Sequence, residues 1–479
     1  MFRKVFVTAV ALMFIAGCAG KQALPESAAP VLSVEPKGVT LPEFDTVRLA
    51  NGMEILLMEK HDVPMISFQA VIRGGAIADP ANKSGTAALL AELMRKGAGK
   101  RDGLQYAQAV ESVGGILNTA ADKEALIVAG EFMTRDADLM IELLGDVLMD
   151  PSLSRAEFDK VRKRGMEQLR SMKDTSLRGL TGIYGDAFLF GEHPYGSPVI
   201  GSEEGLANTG YADVRRYFIE HVGADRAILA VVGDFNSADM RRKLEKRFAG
   251  WRTAQGKVPA VNAMPRREVS RVLLVDKPDA TQTYFYLGNV GVARSYDQRA
   301  ALDLVNTVFG GRFTSMLNTK LRIESGLTYG AGSRLDRNAK PGSLAIVSFT
   351  QTETTVEAVD MALATLETLH TGALSAEQLD SAKAYVLGQF PPDLETAGDL
   401  AARLVDIRFY GLGRDDVDGY AEKITAVSLA DTRRVIDEVY PRQGNLTYVF
   451  IGNAGAIREQ ISKYGPITEM KIDSPRFRP

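Results

Sequence analysis

The alternation of apolar and polar positions divides the chain into three regimes. Val5 to Ile15 is an apolar run, interrupted only by Thr8, behind Arg3 and Lys4. Eleven residues are too few for a lasting bilayer-spanning helix, which needs about 20, and residues 1–17 have the layout of a cleavable export signal. Residues 18–42 are rich in Ala, Pro and Ser, show no period and read as a flexible tether. Beyond them the pattern becomes that of a folded protein. TVRLANGMEILLMEK sets Asn51-Gly52 between two apolar runs, which predicts a β-hairpin. MISFQAVIRGG predicts an extended strand, and AILAVVGDF predicts another after several amphipathic helices. The first of these helices is predicted from about Ser84 to Lys96, stopped by Gly97 and Gly99. Strands first, helices next and a strand last describe an α+β unit, with helices on one face of a mostly antiparallel sheet.

The folded region contains this grammar twice. EKHDVPMISFQAVIRGGA and DKPDATQTYFYLGNVGVA align Lys60 with Lys277 and Asp62 with Asp279, 217 residues apart. LSRAEFD and LSAEQLD align Leu153 with Leu374 at 221 residues, and AILAVVGD and LTYVFIGN align Gly233 with Gly452 at 219. Three matches at nearly one offset predict a duplication, hence two homologous lobes. The expected organisation is an N-terminal domain at 43–250, a linker at 251–267 and a C-terminal domain at 268–470.

Composition narrows the function. The 479 residues carry a net charge of −3, or −5 once Arg3 and Lys4 are removed, with no basic excess for nucleic acid. A single cysteine excludes an intrachain disulfide and a Cys-based zinc site. That residue ends Ile15-Ala16-Gly17-Cys18, which resembles a bacterial lipobox with Cys18 as the lipidated first residue; an ordinary signal peptide is the alternative. Ala19 resembles outer-membrane retention, so a lipoprotein anchored in the envelope and facing the periplasm is expected. The four histidines have no helical pairing. His61 lies in a polar hairpin, His193 in an HPYG turn, His221 before a strand and His370 at a helix end, where a cation suits the dipole. There is no G-x-S-x-G elbow and no phosphate loop.

Five phrases occur in a telling order: IRGGAIADP, KSGTAALLAELMRKGAG, HPYGSPVIG, ILAVVGDF and FGGRFTSMLNTKLRIESGLTYGAG. Across roughly residues 44 to 465 they resemble the insulinase, pitrilysin and mitochondrial processing peptidase family of metallopeptidases. The resemblance implies an H-x-x-E-H motif on the first helix, two His sharing a zinc ion and a Glu as general base. Here the first His position falls on Ala88, the Glu on Ala91, the second His on Glu92 and the third ligand on Gln168. ALLAELM therefore reads as a buried Ala-rich helix with Glu92 at its edge.

The second half retains LRIESGLTYGAG. In the family an Arg and a Tyr at this phrase reach the scissile region of the substrate, here Arg322 and Tyr329, with Gly326 and Gly330 shaping the loop. A guanidinium suits a peptide carbonyl, and a phenol can donate to a developing oxyanion. The expectation is the non-zinc subunit of a two-chain periplasmic metallopeptidase. Such a subunit binds no cofactor itself, joins a zinc-bearing homologous subunit, and takes peptides or unfolded chains by strand addition to a sheet edge. The alternatives are a non-enzymatic peptide-binding scaffold and, third, a peptidase with a metal site rebuilt around Glu92.

Overall fold

The computed structural model describes residues 38–479, so the readings for the signal segment and Cys18 lie outside the described residues. Two six-stranded sheets organise the rest. The first contains β1 (Asp45–Arg48), β2 (Glu54–Glu59), β3 (Met65–Arg73), β4 (Ile116–Ala121), β5 (Ala125–Met133) and β6 (Ala227–Gly233), in the order β1-β2-β6-β3-β5-β4. The second contains β7 (Arg271–Asp276), β8 (Gln282–Val290), β9 (Gly332–Arg337), β10 (Pro341–Gln351), β11 (Thr447–Gly452) and β12 (Ile467–Lys471), in the order β9-β10-β8-β11-β7-β12. Only β2–β6, β7–β11 and β7–β12 are parallel neighbours among the described strands. Read from opposite ends the two orders match at five of six positions, so β3 and β8, whose sequences match at offset 217, occupy equivalent places; the remaining edge differs, β1 pairing antiparallel with β2 and β12 parallel with β7. Even the ion pair before each strand recurs: Lys60 meets Asp62, and Lys277 Nζ lies 2.9 Å from Asp279.

The helices packed against these sheets include α1 (Thr86–Met94), α2 (Ala137–Met149), α3 (Arg155–Thr175), α4 (Leu177–Phe190), α5 (Arg299–Asn306), α6 (Thr355–Gly372), α7 (Ala397–Tyr410) and α8 (Leu429–Val439). The first, α1, is shorter than its pattern suggests. Gly85 is left-handed at φ 93° and Arg95 has left the helix, while the Asp79 carboxylate caps the start by accepting from Gly85 N and Ala87 N, both at 2.7 Å.

The central strands of each sheet are buried on both faces, which is why β2 and β6 read as apolar runs. In the first sheet Ile55, Leu57, Phe68 and Val231 point into a core with α1 and α2, and Leu56, Met58, Val71 and Val232 into a second core. The expected one-sided packing holds for each half's own helices. The other face of each sheet carries one helix from the other half. Leu400, Leu404 and Val405 of α7 cover the first sheet, and Leu180, Tyr184 and Phe188 of α4 cover the second. That approach is close enough to require glycine: a Cβ on Gly185 would sit 2.4 Å from the Tyr286 ring. The halves are also tied by polar contacts. The buried Glu124 accepts from Tyr195 OH at 2.5 Å and from Ala339 N, in the β9–β10 turn, at 2.9 Å. Past β12 the chain returns to the first half, where Phe477 meets the Tyr184 ring edge-on at 4.9 Å.

Candidate functional site

Helix α1 places Ala88, Ala91 and Glu92 beside α3 and the edge strand β4. Its Leu89, Leu90, Leu93 and Met94 are buried in the first core, which turns Glu92 to the outer side of the helix. Ala91 is buried, and its carbonyl accepts a hydrogen bond from the Thr119 hydroxyl on β4. Glu92 is half-buried and fully engaged. Arg95 Nη2 is 2.9 Å away, Lys96 Nζ 3.0 Å, and Arg164 Nη1, reaching over from α3, 3.4 Å. Burial alone would raise this carboxyl, but hydrogen bonds and charge from Lys96 and Arg95 hold it below the ordinary carboxylate range. Gln168 is exposed on α3, one turn beyond Arg164.

This donor set does not fit a zinc ion. It offers two methyl groups, one carboxylate already held by three cations, and an exposed amide on the neighbouring helix. Among the described residues, no group of three or more His, Cys, Asp or Glu is arranged to hold a metal. The histidines are occupied separately. His61 Nδ1 is 2.7 Å from Asp234 and Nε2 3.2 Å from Glu59. His193 Nε2 is 2.8 Å from the Asn262 carbonyl, and His221 Nδ1 is 3.0 Å from Arg226. His370 departs from the sequence reading: it is buried at the end of α6, with Nε2 3.0 Å from the Pro441 carbonyl. Burial pushes its pKa below the usual value, so desolvation outweighs the helix dipole that would favour a cation there.

Arg322 and Tyr329 come together. Arg322 lies on a wide helical turn, Thr319–Glu324, anchored by the fully buried Leu321. Gly326, left-handed at φ 68°, reverses the chain, and Thr328 N donates back to Leu321 O at 3.2 Å. The Tyr329 ring is 74% exposed, and its centroid is 4.4 Å from the Arg322 guanidinium. The Arg322 guanidinium also lies 4.8 Å from the centroid of Phe313, which is 60% exposed. A cation held by contact with aromatic rings, and not by carboxylates, keeps its N–H donors free. Among the described residues neither the guanidinium nor the Tyr329 hydroxyl has a hydrogen-bond partner or carboxylate within ion-pair distance. No polar contact joins this set to Glu92, whose partners are on α1 and α3. The sequence reading missed Phe313, although an aromatic among polar neighbours in GGRFTS was a usable signal.

Comparisons with known proteins agree with this architecture. The family model described as insulinase (peptidase family M16) matches residues 54–182, and the one described as peptidase M16 inactive domain matches residues 209–386. The zinc protease PqqE of Helicobacter pylori is 23% identical over 420 residues, covering 86% of this chain and 93% of that protein. The non-peptidase homolog YmxG of the same organism is 22% identical over 400 residues, covering 83% and 91%. The crystal structure of a peptidase M16 inactive domain from Pseudomonas fluorescens superposes with a TM-score of 0.80 at 18% identity, covering 86% of this chain and 98% of that one. With two matching family models in sequence order, relatives that align along most of their length, and a shared two-sheet fold, the chain belongs to the insulinase family, peptidase family M16.

Proposed function

We propose that this chain is the non-zinc subunit of a heteromeric peptidase of the bacterial envelope, contributing Arg322 and Tyr329 to peptide hydrolysis in a zinc-bearing homologous partner. The observation that carries this reading is an asymmetry. Tyr329 is exposed and Arg322 half-buried, both with donors unused among the described residues, while the zinc-side positions hold methyl groups and a neutralised carboxylate. An Arg free of carboxylates can take a substrate carbonyl, and a phenol free of partners can donate to the oxygen on which charge develops. The metal and the general base would come from the partner. Peptides or unfolded segments are the substrates, since an extended backbone can pair with an exposed edge such as β4. Co-purification from the native host, followed by peptidase assay with and without a chelator, tests the reading. Activity should appear only with the partner present and should vanish with chelation.

The second reading, a non-enzymatic peptide-binding scaffold, is favoured by the similarity to the non-peptidase relative. The two separate on metal and partner. Dialysed against zinc, the isolated chain should retain far less than one equivalent by elemental analysis. One tightly bound zinc per isolated chain would instead point to a site rebuilt around Glu92.

We place the protein in the periplasm on a lipid anchor at Cys18, by its IAGC context. Cys18→Ser should move the protein from the membrane pellet to the soluble fraction after cell fractionation. A variant that still pellets would mean that Cys18 is not the anchor.

A further inference from the structure

Beside the Arg322–Tyr329 loop the helix exchange leaves a crevice of about 550 Å³, between α4 of the first half and the second sheet. Its floor is aromatic: Tyr284 and Phe349 stack with centroids 5.3 Å apart. Its lining includes Gly179 and Gly182 on α4 and the segment Gly330–Gly332 that directly follows Tyr329. Two guanidinium groups enter. Arg334 is neutralised by Asp336 at 2.5 Å and Asp186 at 3.5 Å. Arg178 is exposed, lies over the Phe349 ring at 5.6 Å from its centroid and has no carboxylate within ion-pair distance among the described residues. Among the described residues no carboxylate lines the crevice, which leaves it with an uncompensated positive charge.

The fold does not impose that charge. The equivalent crevice, where α7 covers the first sheet, is lined by Asp122, Glu124, Asp393, Asp399 and Asp406 against Arg294 and Arg403. Two crevices of one architecture thus carry opposite charge, and the cationic one adjoins the Arg/Tyr loop. A guanidinium over an aromatic ring suits a carboxylate, because it offers two parallel donors and is weakly hydrated.

We propose that this crevice is a second peptide subsite, taking a carboxylate-bearing residue of the substrate, with Arg178 as its ionic partner and Tyr284–Phe349 as its floor. The proposal rests on the peptide-handling function proposed for the Arg/Tyr loop and adds a substrate class to it: segments that carry an acidic side chain or a free C-terminus.

Calorimetry on the full chain tests it with three extended peptides of one apolar sequence. The first has a central Glu and an amidated end, the second a central Gln and a free carboxylate, and the third a central Gln and an amide. At low salt at least one carboxylate peptide should bind about fivefold tighter than the neutral one, and which of them gains identifies the source. Arg178→Gln should abolish the preference and leave the melting temperature unchanged; Arg178→Lys should keep part of it. Equal binding of all three peptides, or a preference that survives Arg178→Gln, overturns the subsite alone. If no peptide binds, the peptide-handling reading fails and the subsite with it.

Discussion

In the proposed two-chain enzyme, Tyr329→Phe should slow turnover about a hundred- to a thousand-fold, the cost of one lost donor to a developing oxyanion, about 2.7–4 kcal/mol. The ring is 74% exposed and its hydroxyl has no partner among the described residues, so the change removes a donor and no fold contact. Thermal stability should therefore shift by no more than about 0.5 kcal/mol. Binding of an uncleaved peptide should change far less than turnover, because this interaction strengthens as charge builds in the transition state. Arg322→Ala should depress both binding and turnover, since a guanidinium on a peptide carbonyl acts in both states. Steady-state kinetics of the reconstituted pair separate these effects. A pair that turns over normally with both substitutions would reduce the motif to a structural loop and put the scaffold reading in front.

Leu404→Ala should lower stability by about 3–5 kcal/mol in denaturant unfolding. Leu404 is 1% exposed on α7 and belongs to the core that includes Leu56, Met58 and Val232 of the first sheet, so truncation leaves a cavity between the halves. Because a helix of the second half seals the sheet of the first, the loss should appear as one cooperative transition at lower denaturant, by fluorescence and by circular dichroism alike. Two separated transitions would show that the exchanged helices do not couple the halves.

Much of this architecture is written locally. The hairpin around Asn51-Gly52, the closing strands that end in Gly233 and Gly452, and the offset joining β3 to β8 follow from periodicity and turn chemistry, which act over a few residues. The loss of zinc-side donors is equally local, since Ala88 and Ala91 have no donor atoms in any fold. Arg322 and Tyr329 were legible through their phrase, and the left-handed Gly326 shows why seven residues of spacing bring them into contact.

Other features depend on what lies opposite each residue. The apolar stripe of α7 specifies burial but not the sheet that buries it, so the helix exchange was hidden in a pattern equally suited to one-sided packing. Arg164 neutralises Glu92 from 72 residues away, a contact created by packing α3 against α1. His370 ends a helix, as expected, yet is denied its cationic role by burial that no neighbouring residue in sequence announces. Whether Phe313, Arg178 and Tyr329 meet solvent or protein is likewise fixed by the surfaces around them. Sequence alone determined which groups this protein can offer and which secondary elements carry them. The tertiary structure decided which are paired, buried or free, because electrostatic and packing energies depend on distances between residues far apart in the chain.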